Sequence, residues 1–193
     1  MENEARINLV ARVARSAFAP SQEPDRPVSI LSLAAASYGS RPSGDATVPT
    51  GFDPVAVALF EAIVEGAYVA ANADGVFDAA ERRAFERVVL TACGATVPAQ
   101  QIVSLVNELA DRLREDGIDV RIASVARAAT KKDHAREILR IAALLALTSD
   151  DVSPLEREVL QRLARQCGLD GGEVETALAD ARSALAAADS SKG

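Results

Sequence analysis

The strongest constraint on this chain is a stretch of sequence that occurs twice. Residues 66–81, GAYVAANADGVFDAAE, align position by position with residues 141–156, IAALLALTSDDVSPLE, at an offset of 75 residues. Both continue into one helical pattern, RRAFERVV at 82–89 and REVLQRLA at 157–164, and both close on a Cys-Gly pair, Cys93-Gly94 and Cys167-Gly168. In each copy an apolar run stops at a short polar turn and resumes with apolar residues three and four apart, which is the signature of helix, tight turn, helix. Asp78 and Ser153 stand where an N-cap is needed, and Glu81 and Glu156 follow three residues later, so each turn carries a capping box. Pro154 takes the first helical position, where a missing N–H is harmless, and Gly75 suits the left-handed residue that ends a helix. Such a chain must bury helix faces against other helices.

The rest of the chain agrees. Helices are predicted over 53–71, from 78 to the Cys-Gly pair, and over 98–115, 119–130, 133–147, 153–166 and 172–187, with short turns between them. Seven helices so connected make an all-α bundle with an internal helix-turn-helix duplication. Aromatic residues are only 4% of the chain and Trp is absent, so the core must be built from Ala, Leu, Val and Ile at close helix contacts. The run from Pro54 to Ala71 is apolar nearly all round, as a central helix would be.

Three segments follow from this reading. Residues 52–188 form the helical domain, and 189–193 form a frayed tail. Residues 1–51 form an N-terminal arm: a short amphipathic helix at 5–18, with Ile7, Val10, Ala14 and Ala17 on one stripe, then a strap rich in Pro, Gly and Ser. Within the strap, 28–37 (VSILSLAAAS) is apolar enough to dock on the chain's own body or on another subunit. The arm is therefore the candidate route to a protein partner or to self-association.

Charge narrows the partners. The chain carries a net −7, and residues 53–94 alone hold seven acids against three bases. Nucleic acid is excluded because phosphate binding needs clustered Lys and Arg, and the longest basic run is Lys131-Lys132. A transmembrane segment is not expected, since Glu61 and Glu65 interrupt the longest apolar run. Glu2 and Glu4 stand where a secretion signal needs positive charge, which points to the cytoplasm. Cys93 and Cys167 lack a CxxC neighbour and read as small buried hydrophobes, and His134 has no second ligand at zinc spacing. No Gly-rich phosphate loop, Gly-x-Ser-x-Gly or nucleophile beside a base is present, so no catalytic residue is assigned.

The run Ala73-Asp74-Gly75-Val76-Phe77-Asp78-Ala79-Ala80-Glu81, with its degenerate second copy, resembles the TerB-like family of helical proteins linked to tellurite resistance, over about residues 52–185. The resemblance implies a cytoplasmic, non-enzymatic, all-α protein in a stress or metal-resistance setting, with an acidic surface for divalent cations and helper proteins. Ser149 and Asp150 replace the Asp-Gly of the pattern, so no ion is assigned to the second turn.

Two readings of the first turn compete. Threaded on a calcium loop with Glu81 at position 12, Asn72 falls at 3, Asp74 at 5, Gly75 at 6 and Asp78 at 9. Position 1 would be Ala70, so the loop lacks its first carboxylate and is not an EF-hand. The candidate metal ligands are thus Asn72, Asp74, Asp78 and Glu81, and a divalent cation is the candidate cofactor. In the other reading the same residues only turn the chain and cap helices. On the preceding helix Glu61, Glu65, Tyr68 and Asn72 share one face. The offset maps Glu61 and Glu65 onto Arg136 and Arg140, which predicts acid–base pairs across the two copies. The function expected is a binding or adaptor protein; the alternative is a structural or interaction module that works through its N-terminal arm and binds no ion.

Overall fold

The computed structural model describes residues 2–15, 29–40, 53–94, 96–148 and 152–190. Among them are nine helices and no strand: α1 (Glu2–Arg15), α2 (Ile30–Gly39), α3 (Pro54–Ala71), α4 (Ala79–Ala92), α5 (Ala99–Asp116), α6 (Ile118–Ala128), α7 (Lys132–Ala146), α8 (Pro154–Gln166) and α9 (Glu173–Ser190). Seven of these lie after residue 52. The other two join the same core, so the packed body is larger than a seven-helix bundle.

α3 lies at the centre and starts where its sequence demands. Asp53 Oδ1 accepts from the N–H groups of Val55 and Ala56 at 2.9 and 3.2 Å, with Pro54 in the first turn. By length and composition α3 could cross a membrane, yet 67% of it is buried among the other helices. Its most extensive contact is with α7, whose residues from Ile141 to Ala146 are all buried. Gly66 permits that approach, because a Cβ there would lie 2.8 Å from Ile138 Cγ2. Small side chains thus bring the axes together, as the aromatic-poor composition requires.

The N-terminal segments are bound into this core. α1 buries Ile7, Val10, Ala11, Val13 and Ala14 and packs on α4 and α9. It spans 2–15, three residues earlier than the predicted 5–18; Ala17 and residues 16–28 lie outside the described residues. The apolar patch of the strap is itself a helix, α2, capped by Ser29 Oγ on the Ser32 N–H at 3.1 Å and packed on α3, where Tyr38 meets Phe60 at 4.6 Å between ring centroids. Residues 41–52 of the strap lie outside the description.

Buried polar groups of α7 fasten both segments. Glu137 accepts from Arg140 and, through Oε1, from the Leu31 N–H at 3.2 Å, near the start of α2. Arg140 Nη2 donates to Ala14 O at 3.1 Å, at the end of α1. A carboxylate thus sits at one helix N-terminus and a guanidinium at another's C-terminus, the signs the peptide dipoles favour. Arg6 returns the contact by donating Nε and Nη2 to Leu147 O, the C-cap of α7, at 3.1 and 2.8 Å. At the other end of the chain α9 continues through Ser190, past the start of the predicted tail, and residues 191–193 lie outside the description.

Candidate functional site

The first turn joins α3 to α4, and every residue proposed there has a local partner. Asn72 is the C-cap of α3, and its Nδ2 donates to Tyr68 O at 3.0 Å. Asp74 Oδ1 accepts from the Val76 N–H at 2.9 Å, an Asx turn, and Gly75 follows at φ 77°. Asp78 Oδ1 accepts from the N–H groups of Ala80 and Glu81 at 2.6 and 2.8 Å, while Glu81 Oε2 accepts from the Asp78 N–H at 2.9 Å. The Glu81 and Ala80 N–H groups, in that order, hold the Asp78 carboxyl below its ordinary pKa. Asp74, Asp78 and Glu81 are all exposed on one short turn, although no three His, Cys, Asp or Glu side chains among the described residues converge as a metal-binding group.

The second turn repeats the capping chemistry. Ser153 Oγ accepts from the Glu156 N–H at 3.1 Å, and Glu156 Oε2 accepts from the Ser153 N–H at 2.8 Å. Ser149 and Asp150, where the pattern departs from the first copy, lie outside the described residues. Both copies also end alike: Cys93 and Cys167 are C-caps, followed by Gly94 and Gly168 at φ 60° and 70°.

Behind the first turn Tyr68, Phe77 and Phe85 meet edge to face, with centroids 5.2 to 6.0 Å apart. These rings gather three of the few aromatic side chains in one place. Burial raises the Tyr68 pKa.

A cleft of about 210 Å³ is lined by residues within 71–85 and by Leu145, Thr148 and Glu156. Its apolar wall comes from Ala71, Phe77, Ala84 and Phe85 on the first copy and Leu145 on the second. Its polar lining is Glu81, Thr148 and Glu156, and Ala80 completes it. The two glutamates of the capping boxes therefore border one concave surface. Sequence reasoning identified Glu81 and Glu156 as equivalent caps but missed the cleft. The only available signal was their equivalence within the repeat.

Of the groups predicted to pair between the copies, Glu65, Arg136 and Arg140 bond to other residues. Glu65 is buried and takes Arg121 Nε from α6 at 2.5 Å, and Arg121 also donates to Asp116 at 2.8 Å. Arg140 holds Glu137 on its own helix, and Arg136 reaches Glu173 of α9 at 3.0 Å. The reason is geometric: α6 also packs on α3 and brings Arg121 within hydrogen-bond reach of Glu65.

Remaining reactive groups have ordinary settings. Burial pushes the Cys93 thiol up to about 12 and Cys167 up to about 11, so both stay protonated and are poor nucleophiles. His134 lies 3.3 Å from Thr130 Oγ1 through Nδ1, and burial followed by the nearby Lys131 charge lowers its pKa.

The described residues define an all-helical protein with a pair of capped helix-turn-helix corners about a shallow cleft. The family model described as Tellurite resistance protein TerB matches residues 60–179, more than half of the chain, and the chain belongs to the TerB family. No curated protein and no solved structure matches it.

Proposed function

We propose that this chain is a non-enzymatic binding or adaptor module, working in a stress or tellurite and metal-resistance setting, and that its working surface is the pair of corners around the cleft. The observation that carries this reading is the placement of Glu81 and Glu156, equivalent residues of two copies, on the rim of one apolar-walled cleft. On this reading 66–94 and 141–168 are duplicated halves within a TerB-like bundle, and the family membership supplies the setting. The test is complementation in a cell whose tellurite or metal tolerance depends on the chain. Glu81→Gln with Glu156→Gln should reduce tolerance at an unchanged level of folded protein; full tolerance would contradict the reading.

A divalent cation at Asn72, Asp74, Asp78 and Glu81 is a second reading, favoured by three exposed carboxylates on one turn, of which Asp74 and Asp78 use only Oδ1 in hydrogen bonds to the backbone. Calorimetric titration with calcium or zinc decides it: heat that disappears in Asp74→Asn supports the site, and equal heat in both proteins removes it. The arm offers a third contact surface. The buried faces of α1 and α2 are taken by the chain's own core, so a partner on the arm would meet the outward face, where Leu33 is 59% exposed.

A further inference from the structure

We infer that the cleft between the two corners receives a segment of a partner protein that inserts a leucine-sized apolar side chain flanked by lysine or arginine. This rests on the adaptor reading above and names the class of partner.

Four features of the cleft lead there. Its wall is apolar and includes the Phe77 and Phe85 rings and Leu145, so it rewards burial of a hydrocarbon side chain. At about 210 Å³ it falls below the roughly 300–1,000 Å³ of pockets that enclose cofactors and drug-sized molecules, and it fits one or two side chains. The charged side chains on its border are Glu81 and Glu156; among the described lining residues there is no Lys or Arg. Of the neighbouring cations, Arg82 holds Glu86 and Asn107 and Arg157 holds Glu175, while Arg83 acts on Asp78 of the first corner. Each glutamate gives Oε2 to its cap and keeps a second oxygen.

Val76 and Leu155 are 63% and 48% exposed, and each is next in sequence to a cleft residue, Phe77 and Glu156. Asp74 and Asp78 add negative charge on the first corner. Apolar floor and acidic rim together complement a basic segment with an apolar anchor and repel an acidic one.

The test is fluorescence anisotropy on the full chain with three labelled peptides: a leucine peptide flanked by lysines, the same peptide flanked by glutamates, and a lysine-flanked alanine peptide. The lysine–leucine peptide should bind at least tenfold more tightly than either of the others. Glu81→Gln with Glu156→Gln keeps both caps, since Gln accepts the same hydrogen bond, and should weaken binding about tenfold and flatten its salt dependence. Ala80→Trp places a large side chain in the cleft from an exposed position and should abolish binding with the fold intact by circular dichroism. Equal affinity for the three peptides, or binding unaffected by Ala80→Trp, overturns the inference. Failure here with tolerance still lost in the double Gln variant leaves the adaptor reading standing with a different occupant. Peptide binding with unaffected tolerance supports the cleft and contradicts the cellular role.

Discussion

At the residue scale the two corners are held by hydrogen bonds between neighbours in sequence, and their loss is measurable. Ser153→Ala removes the acceptor for the Glu156 N–H and should cost about 1 kcal/mol of stability in urea unfolding; no change would mean that the box contributes nothing. Asp78 adds a pH dependence. Its folded pKa lies below the ordinary value, so its contribution is present above the unfolded carboxylate pKa and is lost as pH falls through the folded one. The stability gap between the native chain and Asp78→Asn should therefore close on acidification from pH 7 to about 3; a gap that widens would reverse the assignment. Glu65 is the deeper case. With side-chain exposures of 7% for Glu65 and 11% for Arg121, Glu65→Ala leaves a nearly buried guanidinium short of a partner and should cost about 3 kcal/mol. The caps were legible in sequence because both partners lie within three residues. The partner of Glu65 was not, because Arg121 is 56 residues away and only the packing of α6 on α3 selects it.

At the element scale the helices after residue 52 could be read from their apolar spacing, their caps and their terminal glycines. α2 could not. Its sequence, ILSLAAASYG, is apolar or small on every side, it is only ten residues long, and it lies in a stretch rich in Pro and Gly. Its helical state depends on Ser29 as cap and on the surface of α3, neither of which a periodicity count sees. The same dependence on tertiary contact governs Gly66. Gly66→Val would drive a branched side chain into Ile138 and should destabilise the chain by about 1–3 kcal/mol, despite Gly being a poor helix former. An unchanged urea midpoint would show that α3 and α7 are not in close contact.

At the scale of the whole molecule, the family's helices and the two N-terminal helices share one hydrophobic core. α1 buries six apolar side chains and exchanges hydrogen bonds with α7 through Arg6 and Arg140, so it is a structural member of the body. Deleting residues 1–28 should lower the melting temperature by about 10 °C or more, and an unchanged melt would place α1 outside the cooperative unit. The cleft belongs to this scale as well. Phe77 and Phe85 are about 60–80 residues from Leu145 and Glu156 in sequence, so no local pattern announces it and only tertiary packing creates it. On the proposed reading this cleft, and neither the first turn alone nor the arm, is where the chain meets its partner. The most direct measurement is amide NMR of the full chain during titration with the lysine-flanked leucine peptide. Shifts should concentrate on Phe77, Ala80, Glu81, Ala84, Thr148 and Glu156; shifts that fall instead on α2 around Leu33, or that spread evenly over the acidic surface, would contradict it.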